Sequence, residues 1–537
     1  MKIAAILSLL IVADASFASD DDILLEESDD EIVLEDEPAA VSVTPAFVPT
    51  TRLNVTSETG LSADTLHERA DAGAPEDLVE AWSLLRLALR HQKAPGRSWR
   101  IGARLRLWGG WDHPDEGGAS KTILLSELTE LRYDRRLGQN LVLQLGLQKI
   151  DWSVTDGMGP SLMFAPRDLR FGLSVDPDDS LLPVEAALLR YALSHAHDSY
   201  LELAFVPRHR PAELRLFGTD WGVMNPRQPA SLPVGDIAWA IDPSVEDEWQ
   251  NNLMYFARPE LRPEDFSGAV RVRGRVKGTE LGLWGFYGFD LFPELRMDPD
   301  LAAVLALLTS MDDRPLLEQI NLDQLAGLEA FQSKVAQAQA SGDSSSLITS
   351  VFHRLAQIGA QARRGFGRFV VGIETAWTPR FLGGRTLFDG AMQPLSGLAT
   401  AHTALQLEYQ SPPDLIVVLG LSDFWVPDVA NQPLMLLDAG LIKGGRLARP
   451  FDETSAHLLT ANLAIKAEFA ERFDVMIAAV SHPLQRDWML MPSLTYKLDD
   501  TKQQLRLSGE FFGGPSGSMF GMFGHNDRLL LSYKRRY

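Results

Sequence analysis

Arg104, Arg106, Arg271, Arg273 and Arg275, together with Glu374, Glu408, Glu468 and Glu510, stand in stretches where polar and apolar residues alternate. In an extended strand every second side chain shares a face, so each of these charges opposes an apolar face. If the apolar face meets lipid, the charges can stand only in an interior. Two roles are then open: mutual pairing that stiffens a filled interior, or selection of solutes along a lumen. A second chemically capable group is contiguous, Ser194, His195, His197 and Asp198. It holds the atom types of a hydrolase or metal site, but triads are assembled from separate elements, and a metal needs a further spaced ligand. The chain has neither an HExxH helix motif nor a Gly-Lys-Ser/Thr phosphate loop. The expectation is no catalytic site, no metal and no cofactor.

The elements that position the charges are strands. Leu141, Leu143, Leu145 and Leu147 occupy alternate positions opposite Val142, Gln144 and Gly146. Ile101 to Leu107, Val270 to Val276, Phe369 to Trp377, Leu459 to Ile465 and Leu505 to Phe511 repeat the pattern. Between Ile123 and Tyr133, Glu127 and Glu130 have opposite parity, so one of them requires a bulge or a place at the rim. Tight turns are predicted at 135–140, 194–199, 275–280, 364–368, 410–414, 470–473 and 498–502, and long connections at 153–182, 211–264, 290–352, 382–398 and 428–456. Short turns on one side and long loops on the other are the asymmetry of outer-membrane barrels, and the count gives an all-β transmembrane antiparallel barrel of about 16 strands. The final residues Leu529, Leu531, Tyr533 and Tyr537 share one face and end on an aromatic ring, as an insertion signal read by the outer-membrane insertion machinery does. Arg535, on the same face, is expected to snorkel toward the interface.

The N-terminal part reads differently. Lys2, an apolar run from Ile3 to Val12 and small residues to Ala18 form a secretory signal peptide over 1–18. No Cys occurs anywhere among the 537 residues, which excludes a lipid-modified cysteine and a disulfide framework. The net charge of −22 is concentrated: Asp20 to Glu37 holds eleven acidic residues and no basic one. Residues 19–74 are therefore expected to be a disordered acidic periplasmic segment, either a solvated tail or a docking arm. No basic patch of the kind nucleic acid requires is present. Leu78, Val79, Trp82, Leu85 and Leu89 have helical spacing and predict one amphipathic helix over 75–95, before a barrel at 96–537. A second helical pattern, from Leu301 through Leu316 and Ile320 to Val335, predicts a helical insertion at 298–350 in a long external loop. It would cap the mouth or serve as a plug or partner surface.

Residues 148–193 and 201–222 resemble a large family of uncharacterised Gram-negative outer-membrane β-barrels. In that family a strand ending in Trp leads to an Asp and then to an Asn-Pro-x-Asp-Leu-Arg element. Trp152, Asp156, Pro166, Asp168, Leu169 and Arg170 stand in the matching places, with Ala165 where the family has Asn. Residues 358–379 resemble the family's hairpin with an acidic residue in its second strand, here Glu374. Members occur with RND-type exporters and periplasmic lipid carriers, so the resemblance implies passage of hydrophobic molecules across the outer membrane with such a partner. Three functions follow in order of expectation. The first is a porin-like channel or export component in the cell outer membrane, surrounded by outer-membrane lipid, with the N-terminal arm and C-terminus in the periplasm. The second is a structural or interaction barrel with a sealed lumen and partner-binding external loops. An outer-membrane hydrolase is a distant third.

Overall fold

In the computed structural model the chain is a closed antiparallel barrel. Residues 49–537 are described apart from 65–78, 112–120, 171–179, 214–264, most of 298–347, 382–397, 427–455 and shorter stretches inside the remaining loops. The predicted signal peptide and the acidic segment Asp20 to Glu37 lie outside the described residues, as does most of the predicted helical insertion.

The strands run in chain order around the wall: β1 (Thr50–Asp64), β2 (Val79–Ala94), β3 (Arg97–Trp111), β4 (Lys121–Leu137), β5 (Leu141–Gln148), β6 (Val184–Ser194), β7 (Ser199–Val206), β8 (Ser267–Val276) and β9 (Thr279–Phe289). After a small separate ribbon of β10 (Glu294–Met297) and β11 (Ile348–Val351) come β12 (Arg354–Phe366), β13 (Phe369–Phe381), β14 (Leu398–Ser411), β15 (Leu415–Val426) and β16 (Ala456–Phe469). The wall is completed by β17 (Phe473–His482), β18 (Asp487–Asp499), β19 (Gln503–Gly513) and β20 (Arg528–Arg536). Each strand pairs with the next, β9 pairs with β12, and β20 pairs with β1, so an 18-stranded sheet closes without an edge.

Two strands more than the sequence predicts come from its N-terminal part. Residues 50–64, expected to be disordered, are β1, and the predicted helix over 75–95 is β2. In β2, Val79, Ala81, Ser83, Leu85, Leu87 and Leu89 form one face and Glu80, Trp82, Leu84, Arg86 and Arg90 the other, a period of two. Apolar Trp82 and Leu84 on the inner face fill in the helical spacing and conceal the alternation. β1 is rich in Thr and Ser, residues of a loop by composition, yet Thr is a good strand former when β2 and β20 supply hydrogen-bond partners on both sides.

The opposite parity of Glu127 and Glu130 is resolved by a bulge. Gly102 of β3 is opposite Glu130, while the next residue Ala103 is opposite Leu128, leaving Thr129 unpaired and turning both acids inward. Gly102 is needed there, because a Cβ would lie 2.6 Å from Thr129 Oγ1. All the predicted tight turns join successive strands, and a further one at Pro95-Gly96 joins β2 to β3. At Lys277-Gly278 both residues have positive φ, 49° and 76°, the geometry of a two-residue hairpin turn whose twist matches its strands. The connections at the opposite end are mostly long; the four residues between β17 and β18 are an exception.

The outer surface is apolar. Leu53, Ile101, Leu105, Leu124, Leu203, Leu283, Ile358, Leu419, Leu507 and Leu531 are all exposed there. A continuous band of this kind is far beyond the patches water-soluble proteins expose, and it is what hydrocarbon contact requires. Aromatic pairs ring the short-turn end: Trp99 with Tyr133, Phe369 with Tyr409, and Phe473 with Tyr496, at centroid separations of 4.6, 5.0 and 4.9 Å. Tyr287, Trp377, Trp425 and Trp488 are exposed toward the other end, so the band is bounded by two aromatic girdles. Leu529 and Leu531 are exposed on the outer face of β20, and Tyr533 donates to Gln503 Oε1 at 2.9 Å. The Tyr537 amide donates to Val55 O at 3.0 Å, and the Arg535 guanidinium lies 4.8 Å above the Tyr537 ring.

Candidate functional site: the occupied lumen

Strand alternation turns all nine charges singled out from the sequence to the inside. The connection from β5 to β6, residues 149–183, meets several of them there. It was expected to be an external loop; instead it folds into the lumen and touches the wall at β3, β4, β7, β8, β9 and β13.

Trp152 opens this segment and is 2% exposed. Its indole N–H donates to Glu202 Oε1 of β7 at 3.3 Å, and the Arg271 guanidinium of β8 lies 4.7 Å above its ring. Arg271 Nη2 donates to Glu202 Oε2 at 2.8 Å, so one carboxylate orients both the ring and the cation stacked on it. Phe164 packs edge-on against Trp152 and Phe286, at 5.7 and 4.9 Å. These rings and the neighbouring Val184, Ala186, Leu188, Ala204, Val206 and Trp284 form a small apolar core on one side of the lumen.

Glu374 of β13 is completely buried and clamps the next part of the segment. Its carboxylate accepts from Ser153 Oγ at 2.8 Å, Thr155 Oγ1 at 3.2 Å, Ser161 Oγ at 2.6 Å, the Ser161 amide at 3.4 Å and the Val154 amide. Burying a carboxylate is costly unless its oxygens are satisfied, and these donors satisfy both. Gly372, two residues earlier on the same inward face, leaves room for the segment: a Cβ there would lie 2.7 Å from Val154 O.

The Pro166–Arg170 stretch docks on β3 and β4 through charge. Arg170 donates from Nε to Asp168 Oδ1 at 2.8 Å and from Nη2 to Glu127 Oε1 at 2.7 Å, and its Nη1 lies 2.8 Å from Glu213 Oε2. Arg104 bonds Glu127 and reaches Asp168 Oδ2 at 3.4 Å. Pro166 O accepts from the Leu182 amide, and the Asp168 amide donates to Ser180 O, so the stretch pairs with its own return. Burial works against every charge in this cluster. The Arg170, Arg106 and Arg104 guanidiniums nevertheless hold the Asp168 carboxyl below the usual carboxylate range, and Asp168, Glu213 and Glu127 raise Arg170. The segment is therefore pinned to the wall by a network of paired charges.

The remaining expected residues pair elsewhere. Arg273 bonds Glu280 and Tyr200, Glu408 lies 3.5 Å from Arg363, Glu468 accepts from Lys497 at 2.9 Å, and Glu510 accepts from Arg528 at 2.8 Å. Arg106 is buried beside the Arg104 cluster, and Arg275 is exposed near the short-turn end. Of the residues that carry the resemblance, Trp152 packs against β7 and β8, while Pro166, Asp168 and Arg170 lie in the stretch that docks on β3 and β4; Asp156 and Leu169 lie outside the described residues. Ser194 and Asp198 flank the β6 to β7 turn, whose residues 195–197 also lie outside them; among the described residues no group of His, Asp and Glu could hold a metal. Glu202, Glu213, Ser153 and Ser161 carry much of the docking and were not singled out. Glu202 was legible as a polar residue alternating with Leu201 and Leu203, but the loop residues left no periodic signal. A second inward tether follows β19: Asp487 accepts from His482 Nδ1 at 2.8 Å and from the Phe520 amide at 3.0 Å, with the His482 and Phe520 rings stacked.

An apolar-belted closed barrel with an inward-folded segment is the architecture of a porin-like transmembrane protein. Among solved structures the chain is similar to OccAB4 of Acinetobacter baumannii, at 10% identity and a TM-score of 0.42 over 91% of this chain and 98% of that one. It is also similar to OccK2 (OpdF) of Pseudomonas aeruginosa, at 11% identity and 0.41 over 90% and 97%, and to Salmonella typhi OmpF in complex with daunomycin, at 7% and 0.38 over 91% and 97%. No protein-family model and no curated relative matches. Likeness at this level carries no cargo or partner across, and the barrel assignment rests on the strand pairing and the outer surface.

Proposed function

We propose that the chain is a non-enzymatic outer-membrane channel that passes a hydrophobic or amphiphilic molecule through a partly occupied lumen, its short-turn end facing the periplasm. The observation that carries this reading is the inner wall of β15 to β18. There Val418, Ala464, Met476, Ala478, Val480 and Met491 point inward by register and are partly exposed. Val418, Ala464, Ala478 and Met491 are consecutive cross-strand neighbours, forming an unbroken apolar row. The wall of a water-filled pore is polar, because an apolar lining favours dewetting and gives ions no stabilisation. An apolar row beside charged walls suits a molecule with a hydrocarbon part and a polar part. Such a molecule reaches the periplasmic mouth only on a carrier or exporter, which is the role for an RND-type exporter or periplasmic lipid carrier as partner.

The test is reconstitution of the barrel in liposomes, with flux of a fluorescent single-chain amphiphile measured beside ion conductance. Ala464→Glu with Ala478→Glu should slow amphiphile flux while sparing conductance. Absence of both flux and conductance in the native barrel would sink the reading. It would favour instead a sealed scaffold, for which the complete burial of Glu374 against the inserted segment is the supporting observation.

A further inference from the structure

Four adjacent strands place an arginine at one level of the inner wall. Arg52 of β1 is directly opposite Arg90 of β2, Arg90 is opposite Arg100 of β3, and Arg100 is opposite Arg132 of β4. All four belong to the inward-facing set of their strands and lie near the short-turn end. Like charges directly opposite one another weaken strand pairing, so an unbroken row of four is unfavourable unless counter-charge reaches it.

Among the described residues, protein counter-charge reaches only one end. Asp134 lies 3.0 Å from Arg132 Nε and 3.6 Å from Arg100 Nε, and Glu130 lies 3.5 Å from Arg132. Arg132 is 7% exposed, yet its Nη2 has no hydrogen-bond partner among the described residues. At the other end, Arg52 and Arg90 are exposed and have no ion pair or hydrogen bond among the described residues. The next inward level, Asn54, Ala88, Gly102 and Glu130, carries no arginine, and on the level after it Arg86 is neutralised by Glu58 and Arg104 by Glu127. Among the described residues of β1 to β4, the excess positive charge is thus concentrated in one row.

We infer that this row is a binding site for an oxyanion, a carboxylate or phosphate carried by a small solute or by the head group of an amphiphile. Neighbouring strands lie about 4.8 Å apart, so guanidiniums on adjacent strands can share the oxygens of a single phosphate. The planar fork of arginine suits such an anion better than a point charge does. Anion binding would also remove the like-charge repulsion that the row imposes on β1 to β4. The site itself does not require a conducting lumen; its connection to cargo rests on the amphiphile reading above.

The experiment uses the full chain, folded in neutral detergent, titrated calorimetrically with inorganic phosphate and separately with dodecyl phosphate below its micellar concentration. Saturable binding is expected. Arg52→Gln with Arg90→Gln should weaken it by at least about tenfold, the loss of roughly one charge-assisted contact. Arg52→Lys with Arg90→Lys should retain much of it, and Arg364→Gln on the outer face should leave it unchanged. The single variant Arg90→Gln serves if the double variant does not fold, as judged by heat-modifiable migration. Tighter binding of dodecyl phosphate assigns the site to a head group, and equal binding assigns it to a free anion. No saturable binding of either, or unaltered affinity in the glutamine variants, overturns the site. A barrel that binds phosphate but passes nothing would overturn the channel and leave the site standing.

Discussion

Replacing Glu374 by alanine should release the inserted segment without unfolding the barrel. The carboxylate accepts from two hydroxyl groups at 2.6 and 2.8 Å, from a third at 3.2 Å, and from two backbone amides of the segment. A hydrogen bond to a charged group contributes about 1.5–3 kcal/mol, and a buried donor left without a partner costs about 1–3 kcal/mol. These contributions are not additive, and released hydroxyls recover bonds to water. A loss of about 3 kcal/mol in the docking of residues 151–161 is a fair expectation, and it raises the released population on the order of a hundredfold. The pairing of β13 with β12 and β14 uses backbone groups and is untouched. Limited proteolysis of the folded barrel, read by mass at new ends within residues 149–183, should therefore accelerate while heat-modifiable migration persists. Single-channel recordings should show larger or more frequent openings. Glu374→Gln should have a smaller effect, since its amide oxygen still accepts and serine hydroxyls can turn to accept from its NH2. Equal cleavage rates and identical conductance in native protein and Glu374→Ala would refute the view that this carboxylate holds the segment.

Other consequences can be checked independently. Asp168 is held below the usual carboxylate range, so its contribution to docking is complete above that range and fades as pH falls through its lowered value; cleavage within 149–183 should stay flat from pH 7 to 5 and rise only below about pH 4. Gly146 has φ of 124°, and a Cβ there would lie 2.0 Å from Leu131 O, so Gly146→Ala should sharply reduce the folded fraction on unboiled gels. Deleting Tyr537 removes contacts to Val55 and Ser57 across the closing seam, and cell fractionation should show less protein in the outer membrane. Deleting residues 20–37 should leave folding intact while weakening capture of a basic periplasmic partner far more at low salt than at high salt, because exposed charge is screened over about 8 Å at physiological ionic strength. Capture that is the same at every salt concentration would return that segment to a solvated tail.

The parts of this architecture that depend on period two were legible from residue types alone. The parity of Glu127 and Glu130 called for a bulge, and Thr129 supplies it. Leucines at 141, 143, 145 and 147 against Gln144 and Gly146 gave both the strand and its inner face. The first hairpin was concealed for opposite reasons in its two strands: β1 presents too few apolar residues, and β2 presents them on both faces. The lumen contents were concealed for a different reason. Alternation reports which face of a strand is wet or dry, but it does not say where a loop goes. Trp152, Ser153 and Ser161 have no period, and only the cost of an inward carboxylate at Glu374 hinted that something must come to meet it. The four arginines at 52, 90, 100 and 132 could be aligned only once β1 and β2 were known to be strands and the bulge had set the register of β4.

The seam between β1 and β20 constrains how the molecule comes into being. Ser57 and Tyr537, which meet across it, are separated by 480 positions in the chain. Loop closure over such a distance carries an entropic cost that no local contact offsets, and non-local pairing of this kind is slow. Until the last strand has been made, β1 has only β2 beside it, and its other edge offers unpaired backbone donors and acceptors to any passing chain. Synthesis therefore finishes long before the product can exist as a cylinder. In the interval the polypeptide is an open sheet or no sheet at all, exposed to non-native pairing, and formation of the β1–β20 seam ends that exposure.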